Sequence, residues 1–182
     1  MTSVDLTGPA LLARITELIR DVPDFPTPGV GFKDITPVLA DAAAFSAVVA
    51  EMAARVDGPV DLVVGMEARG FMFAAPVAVA LGAGFVPVRK AGKLPGPTVS
   101  REYSLEYGTA TVELHPADIP AGSRVLVVDD VLATGGTAAA TVELLEGCGA
   151  EVVGLTFLVD LEFLGGRARL HGRRVEALLG VS

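Results

Sequence analysis

The chain has 182 residues, 51% of them hydrophobic, which suits one domain with a substantial core that needs neither disulfide nor cofactor to hold it together. A formal net charge of −8 argues against a nucleic-acid surface, since phosphate backbones demand a basic face. The single cysteine, Cys148, excludes an internal bridge, and no apolar run reaches membrane-spanning length without charge or proline. The N-terminal MTSVDLTGPALL lacks the basic start and continuous apolar segment of a signal peptide, so the expected setting is cytoplasmic, with no nucleic acid and no membrane as partner.

Leu11, Leu12, Ile15, Leu18 and Ile19 fall on one helical face, which predicts an amphipathic helix ending before Pro23. The next stretch, Asp24 to Leu39, reads DFPTPGVGFKDITPVL. Its three prolines and two glycines rule out a regular element, while its bulky apolar residues argue against a disordered linker. Asp41 to Val56 then predicts a second amphipathic helix, with Phe45, Val48, Val49, Met52 and Val56 in helical spacing.

Val60 to Met66 reads as a buried strand, followed by Glu67-Ala68-Arg69-Gly70-Phe71 and a small-residue helix towards Leu81. The next strand, Phe85 to Arg89, delivers Arg89, Lys90 and Lys93 to the same edge. A basic cluster inside an acidic chain points to a small polyanionic ligand; the alternative is an ordinary solvated loop. Gly92 to Gly108, GKLPGPTVSREYSLEYG, is too rich in glycine, proline and polar residues to pack firmly, and reads as a lid before the strand Thr109 to Leu114. Lids exclude water from reactive intermediates.

Arg124 to Gly147, RVLVVDDVLATGGTAAATVELLEG, is the centre of the chain. Val125 to Val128 predicts a strand buried on both faces that closes where Asp129 and Asp130 begin. Ala133-Thr134-Gly135-Gly136-Thr137 then leads into an alanine-rich helix stopping near Gly147 or Gly149. Strand, small-residue loop and helix make a phosphate cradle: glycines allow close backbone approach, and the helix start offers unpaired N–H groups and a positive dipole end. Neither GxxxxGK[ST] nor GxGxxG occurs here. Two carboxylates before the cradle suit a vicinal diol, so a sugar phosphate fits both features; the bland alternative is a plain strand-to-helix turn.

Glu151 to Leu161 predicts another strand, Gly165 to Leu170 a short helix and Val175 to Val181 a final apolar stretch, none with assignable chemistry. His115 and His171 lie outside every motif, and no spacing suggests a metal cage, so no direct protein ligand to metal is expected. Neither repeat nor linker divides the chain, which is read as a single domain over residues 1–182.

VVDDVLATGGT resembles the 5-phosphoribosyl-1-pyrophosphate (PRPP) signature of the type I phosphoribosyltransferases. The resemblance implies that Asp129 and Asp130 hold the ribose 2′- and 3′-hydroxyls, and Ala133, Thr134, Gly135, Gly136 and Thr137 the 5′-phosphate. FPTPGV followed by Phe32 and DITP resembles the N-terminal signature of the adenine-specific members, in which this segment, about 24–39, folds as a hood over the base. Gly31, Phe32 and Lys33 would then bind adenine, Phe32 by its ring face and the segment by its main chain. The family commonly has arginine where Lys33 stands. EARGF resembles the pyrophosphate loop, implying that Glu67, Ala68, Arg69 and Gly70 bind pyrophosphate, with Arg69 as a two-pronged donor; a surface salt bridge is the other reading of Arg69. YSLEYG resembles the catalytic loop, with Glu106 as the acid that accepts the purine proton and Tyr103 and Tyr107 closing the lid, about 92–108; an exposed loop acid is the other reading of Glu106.

The resemblance runs from Asp24 to about Leu161, with these motifs in order. It implies an α/β fold with a mostly parallel central sheet flanked by helices, an N-terminal hood and a mobile lid. It further implies transfer of the phosphoribosyl group of PRPP to adenine N9, giving AMP and pyrophosphate. Magnesium carried by PRPP, together with Arg69, Arg89, Lys90 and Lys93, would neutralise the leaving group, and the family usually forms homodimers. The alternatives are transfer to a 6-oxopurine and a PRPP-binding regulator without catalysis; LEYG and the hood favour adenine over the first. An acidic chain without a basic or helix-turn-helix module disfavours the second.

Overall fold

The computed structural model describes residues 6–104 and 108–182, and the chain divides into two compact units, Met1–Glu51 and Met52–Ser182. In the first unit, α1 (Gly8–Leu18) buries Leu11 and Ile15, two residues of the predicted stripe. β1 (Arg20–Val22) pairs antiparallel with β2 (Phe32–Asp34), so the segment 24–39 is more regular than its prolines suggest. Pro26, Pro28 and the glycines are confined to the turn between these strands. There the Phe25 N–H donates to Val30 O at 3.0 Å and the Gly29 N–H to Asp24 Oδ1 at 2.7 Å. Pro37 falls in the first turn of α2 (Thr36–Ala40), where its missing N–H would have had no partner anyway.

Asp41 starts α3 (Ala42–Ala54): its Oδ1 accepts the N–H groups of Ala43 and Ala44 at 3.1 and 3.0 Å, while Arg14 Nη2 lies 2.5 Å from Oδ2. The hydrogen bond from Ala44, then that from Arg14, hold this carboxyl below the usual aspartate range.

The second unit is built on β3 (Leu62–Met66), α4 (Gly70–Leu81), β4 (Gly84–Lys90), β5 (Val99–Ser104), β6 (Thr109–Leu114), β7 (Arg124–Leu132), α5 (Gly136–Gly147), β8 (Glu151–Leu161) and β9 (Val175–Val181). These strands form a seven-stranded sheet in the order β5-β6-β4-β3-β7-β8-β9. β4, β3, β7, β8 and β9 run parallel, and β5 and β6 are antiparallel additions at one edge. Val63, Val64, Val125, Val127 and Val128 are all inaccessible, as strands covered on both faces require. The chain leaves β3 for β4 on one side and β7 for β8 on the other. The carboxyl ends of β3 and β7 therefore flank a topological switch point, where open α/β sheets bind ligands.

Two expectations change in detail. β7 does not close at Val128 but continues through both aspartates to Leu132, because β8 is long enough to pair with it there, Val131 opposite Val159 and Leu132 opposite Asp160. The predicted lid segment contains β5, whose residues pair in unbroken register with β6 from Val99 opposite Leu114 to Ser104 opposite Thr109. Its ladder partner, not its mostly exposed side chains, makes it a strand. Among the described residues no helix is long and apolar enough to cross a membrane.

Candidate active site

Two loops meet at the switch point. From β3 comes Glu67-Ala68-Arg69, with the peptide between Glu67 and Ala68 cis, and the N–H groups of Phe71 and Met72 bond back to Ala68 O and Arg69 O as α4 begins. From β7 come Asp129 and Asp130. Gly70 makes the meeting possible: a Cβ there would lie 2.7 Å from Asp129 Oδ1 and 3.0 Å from Val128 O.

Arg69 Nε lies 2.9 Å from Asp130 Oδ2, an ion pair whose alignment is not that of a hydrogen bond, so this buried oxygen still lacks a donor. Asp129 Oδ1 accepts the N–H of Asp130 at 2.8 Å. Burial, and next the carboxylate of Asp130, push Asp129 well above the ordinary aspartate range. Burial also raises Asp130, against the pull of the Arg69 guanidinium. Both carboxyls are therefore better satisfied when donors or positive charge enter beside them.

These groups face a cleft of about 320 Å³ lined by Glu67, Ala68, Arg69, Lys90, Tyr103, Asp129, Asp130 and Thr137, among others. A smaller cavity of about 80 Å³ adjoins it and shares Asp129, Val131 and Thr137. Ala133, Thr134, Gly135 and Gly136 line that cavity at the start of α5, where Gly135 takes the left-handed conformation (φ 79°). The loop thus presents the first N–H groups of a twelve-residue helix to a space of phosphate size. Thr137 Oγ1 donates to Tyr103 Oη at 3.1 Å, which joins β5 to the same helix start.

The basic residues divide their work. Lys90 reaches the cleft. Arg89 instead directs Nε and Nη2 at Glu67, 3.2 and 3.3 Å from its two oxygens, and Nη1 at Lys93 O, 3.1 Å away. Lys93 is exposed, on a segment whose shape comes from a residue that sequence reasoning missed. Glu113, 6% exposed, accepts the N–H groups of Lys93 and Leu94 at 3.0 and 2.9 Å. The Leu94 bond is the main cause of its lowered pKa. Its charge between the apolar Val112 and Leu114 was the available signal, since a carboxylate among buried neighbours needs donors.

In the first unit, Phe32 packs edge-on against Phe25 with ring centroids 5.0 Å apart, and Lys33 Nζ pairs with Asp21. Gly31 is exposed just before β2. Glu106 and Tyr107 lie outside the described residues.

Comparison with known proteins places the whole chain in a family. The model of the phosphoribosyl transferase domain family matches residues 38–171. The chain is 60% identical over 179 residues to the adenine phosphoribosyltransferase of Streptomyces galbus, a match that covers 93% of this chain and 98% of that one. Among solved structures it is similar to adenine phosphoribosyltransferase from Thermoanaerobacter pseudethanolicus, with a TM-score of 0.91, 50% identity, and coverage of 93% of this chain and 99% of that. It is similar also to the APRTase of Giardia lamblia complexed with 9-deazaadenine, with a TM-score of 0.89, 39% identity, and coverage of 94% and 98%.

Proposed function

The chain belongs to the adenine phosphoribosyltransferase family, and from that premise we propose that it transfers the 5-phosphoribosyl group of PRPP to N9 of adenine, giving AMP and pyrophosphate in purine salvage. One observation carries the reading. A phosphate-sized cavity at a helix start adjoins, through shared lining residues, a larger cleft lined by an aspartate pair, an arginine and a lysine. A sugar bearing a phosphate at one end and a pyrophosphate at the other matches that sequence of surfaces.

In this reading the N–H groups and hydroxyls of Ala133 to Thr137 take the 5′-phosphate. Asp129 and Asp130 accept the ribose hydroxyls, which supply the donor that the Asp130 Oδ2 atom lacks. Arg69 and Lys90, with the main chain of Glu67 to Gly70, face the pyrophosphate. Asp129 and Asp130, whose burial raises their pKa values, are carboxyls that favour added positive charge nearby, as magnesium bound with PRPP would supply. Bound there, the ion would offset the negative charge of the leaving pyrophosphate. The chain's own task is to hold the sugar rigidly while positive charge develops on the ring and to keep water away.

Arg89 supports this site by fixing Glu67, and Lys93 adds a flanking charge. Gly31, Phe32 and Lys33 are proposed to take the adenine. The ammonium of Lys33 is already engaged by Asp21, which fits a role for its backbone. Glu106 accepts the proton lost from the imidazole side of the purine, and Tyr103 and Tyr107 close over the substrates. We further propose that both units work as one catalytic domain, that the active form is a cytoplasmic homodimer, and that some of the basic residues serve across its interface.

The hood and LEYG motifs, and the named relatives, favour adenine over a 6-oxopurine. The test is incubation with PRPP, magnesium and adenine, with AMP followed by chromatography. AMP formation supports the proposal; bound PRPP with no AMP formed would make the protein a PRPP-binding regulator instead.

A further inference from the structure

The phosphate loop has a back wall supplied by a distant part of the chain. A Cβ on Gly135 would overlap Gly166 O and stand 3.3 Å from Gly166 Cα. A Cβ on Gly166 would overlap Ala133 O and stand 3.1 Å from the Gly135 nitrogen. Backbone therefore rests on backbone with no side chain between, so the positions of Gly166 and Ala133–Gly135 are coupled by direct packing.

The residue after Gly166 is anchored. Arg167 Nε lies 2.5 Å from Asp160 Oδ2, and its Nη1 donates to Val175 O at 2.7 Å. Asp160 is 1% exposed, and its Oδ1 is buried without a hydrogen bond, so its charge leans on Arg167. Asp160 also sits opposite Leu132, the last residue of β7 before the phosphate loop begins. One buried carboxylate is thus fixed beside the loop's entry and holds the segment that forms the loop's wall.

We propose that Asp160 and Arg167 are positioning residues for the 5′-phosphate, acting through Gly166, which sets the spacing of the Ala133–Gly135 backbone. This rests on the reading of Ala133–Thr137 as the phosphate cradle. Neither side chain touches substrate. Their contribution is the placement of N–H groups, for which errors of about 1 Å cost up to a hundredfold.

The test compares wild-type protein with Gly166→Ala, Arg167→Ala and Arg167→Lys, using AMP binding by calorimetry and separate KM values for PRPP and adenine. The expected result for Gly166→Ala and Arg167→Ala is AMP affinity lower by about tenfold or more, a matching rise in KM for PRPP, and little change in KM for adenine or in kcat at saturating PRPP. Arg167→Lys should recover part of the loss. Should Arg167→Ala not fold, Gly166→Ala and Arg167→Lys carry the test, since neither leaves Asp160 without a cation. Folded variants that bind AMP as tightly as wild type, or that lose PRPP and adenine affinity equally, would overturn the inference. Wild-type protein that binds AMP no tighter than adenosine would instead overturn the cradle itself, and the inference with it.

Discussion

Arg89 holds Glu67 through two nitrogens, Nε 3.2 Å from Oε2 and Nη2 3.3 Å from Oε1, and the Lys90 N–H donates to the same carboxylate at 3.0 Å. The end of β4 is thereby tied to the loop that follows β3. Arg89, expected from sequence to bind the ligand, directs its guanidinium at the loop after β3.

That contact predicts an acid dependence. The hydrogen bond from Arg89 is the main cause of the lowered pKa of Glu67. A carboxyl whose folded-state pKa lies below its unfolded value adds stability above the unfolded value and loses it as pH falls through the folded one. Glu67→Gln should therefore lower stability at pH 7 by roughly 1 kcal/mol, because one charged hydrogen-bond acceptor becomes neutral. The difference from wild type should vanish at acid pH, as read from urea midpoints across pH 3 to 7.

Gly70→Ala places a methyl group against Asp129 Oδ1 and Val128 O, the latter backbone that cannot swing away. The expected cost is about 1–3 kcal/mol of stability, as for overpacking in a close-packed interior. On the proposed function a fall in kcat/KM for PRPP should accompany it, because the segments after β3 and around Asp129 are forced apart. Thermal unfolding and steady-state kinetics on the same preparation check both effects.

Asp129→Asn should separate stability from function. Burial and the neighbouring Asp130 raise the Asp129 pKa, so ionisation of this side chain opposes folding. For a group whose folded pKa is raised, stability is present below the unfolded value and declines as pH rises through the folded value. Asparagine removes the charge and can still accept the Asp130 N–H, so Tm at pH 8 should rise. Turnover should fall about tenfold or more, since a hydrogen bond from ribose to a charged acceptor is lost. An unchanged kcat/KM would remove Asp129 from the site.

Glu106→Ala tests the proton-acceptor role proposed for Glu106. Turnover should drop by about 10²–10⁴-fold, as for loss of a general base, while PRPP affinity stays near wild type. Equal losses in both would assign Glu106 a binding role instead.

Much of the site can be read from local pattern. The β-branched run before Asp129, the small residues from Ala133 to Thr137 and the strand, loop and helix around Glu67 each carry their own placement, and the sheet brings them together at the switch point. What could not be read depends on distant partners. β7 passes through its two aspartates because β8 continues beside it, and β5 is a strand because β6 lies opposite. Arg89 shows as a charge in the sequence, but its direction comes from Glu67 on the adjacent strand end. Gly165–Gly166 follows a strand much as Gly135–Gly136 does, a signal present in the sequence. Its meaning needs the backbone of Ala133 to be in place against it.

Transfer of the phosphoribosyl group to adenine in particular distinguishes this function from its alternatives. It is tested most directly by measuring pyrophosphate release from PRPP and magnesium with adenine, hypoxanthine and guanine in parallel. Release is expected with adenine, and at most trace release with the two 6-oxopurines. Comparable release with hypoxanthine or guanine would contradict the adenine assignment of Gly31 to Lys33, and release with none of the three would contradict transferase activity itself.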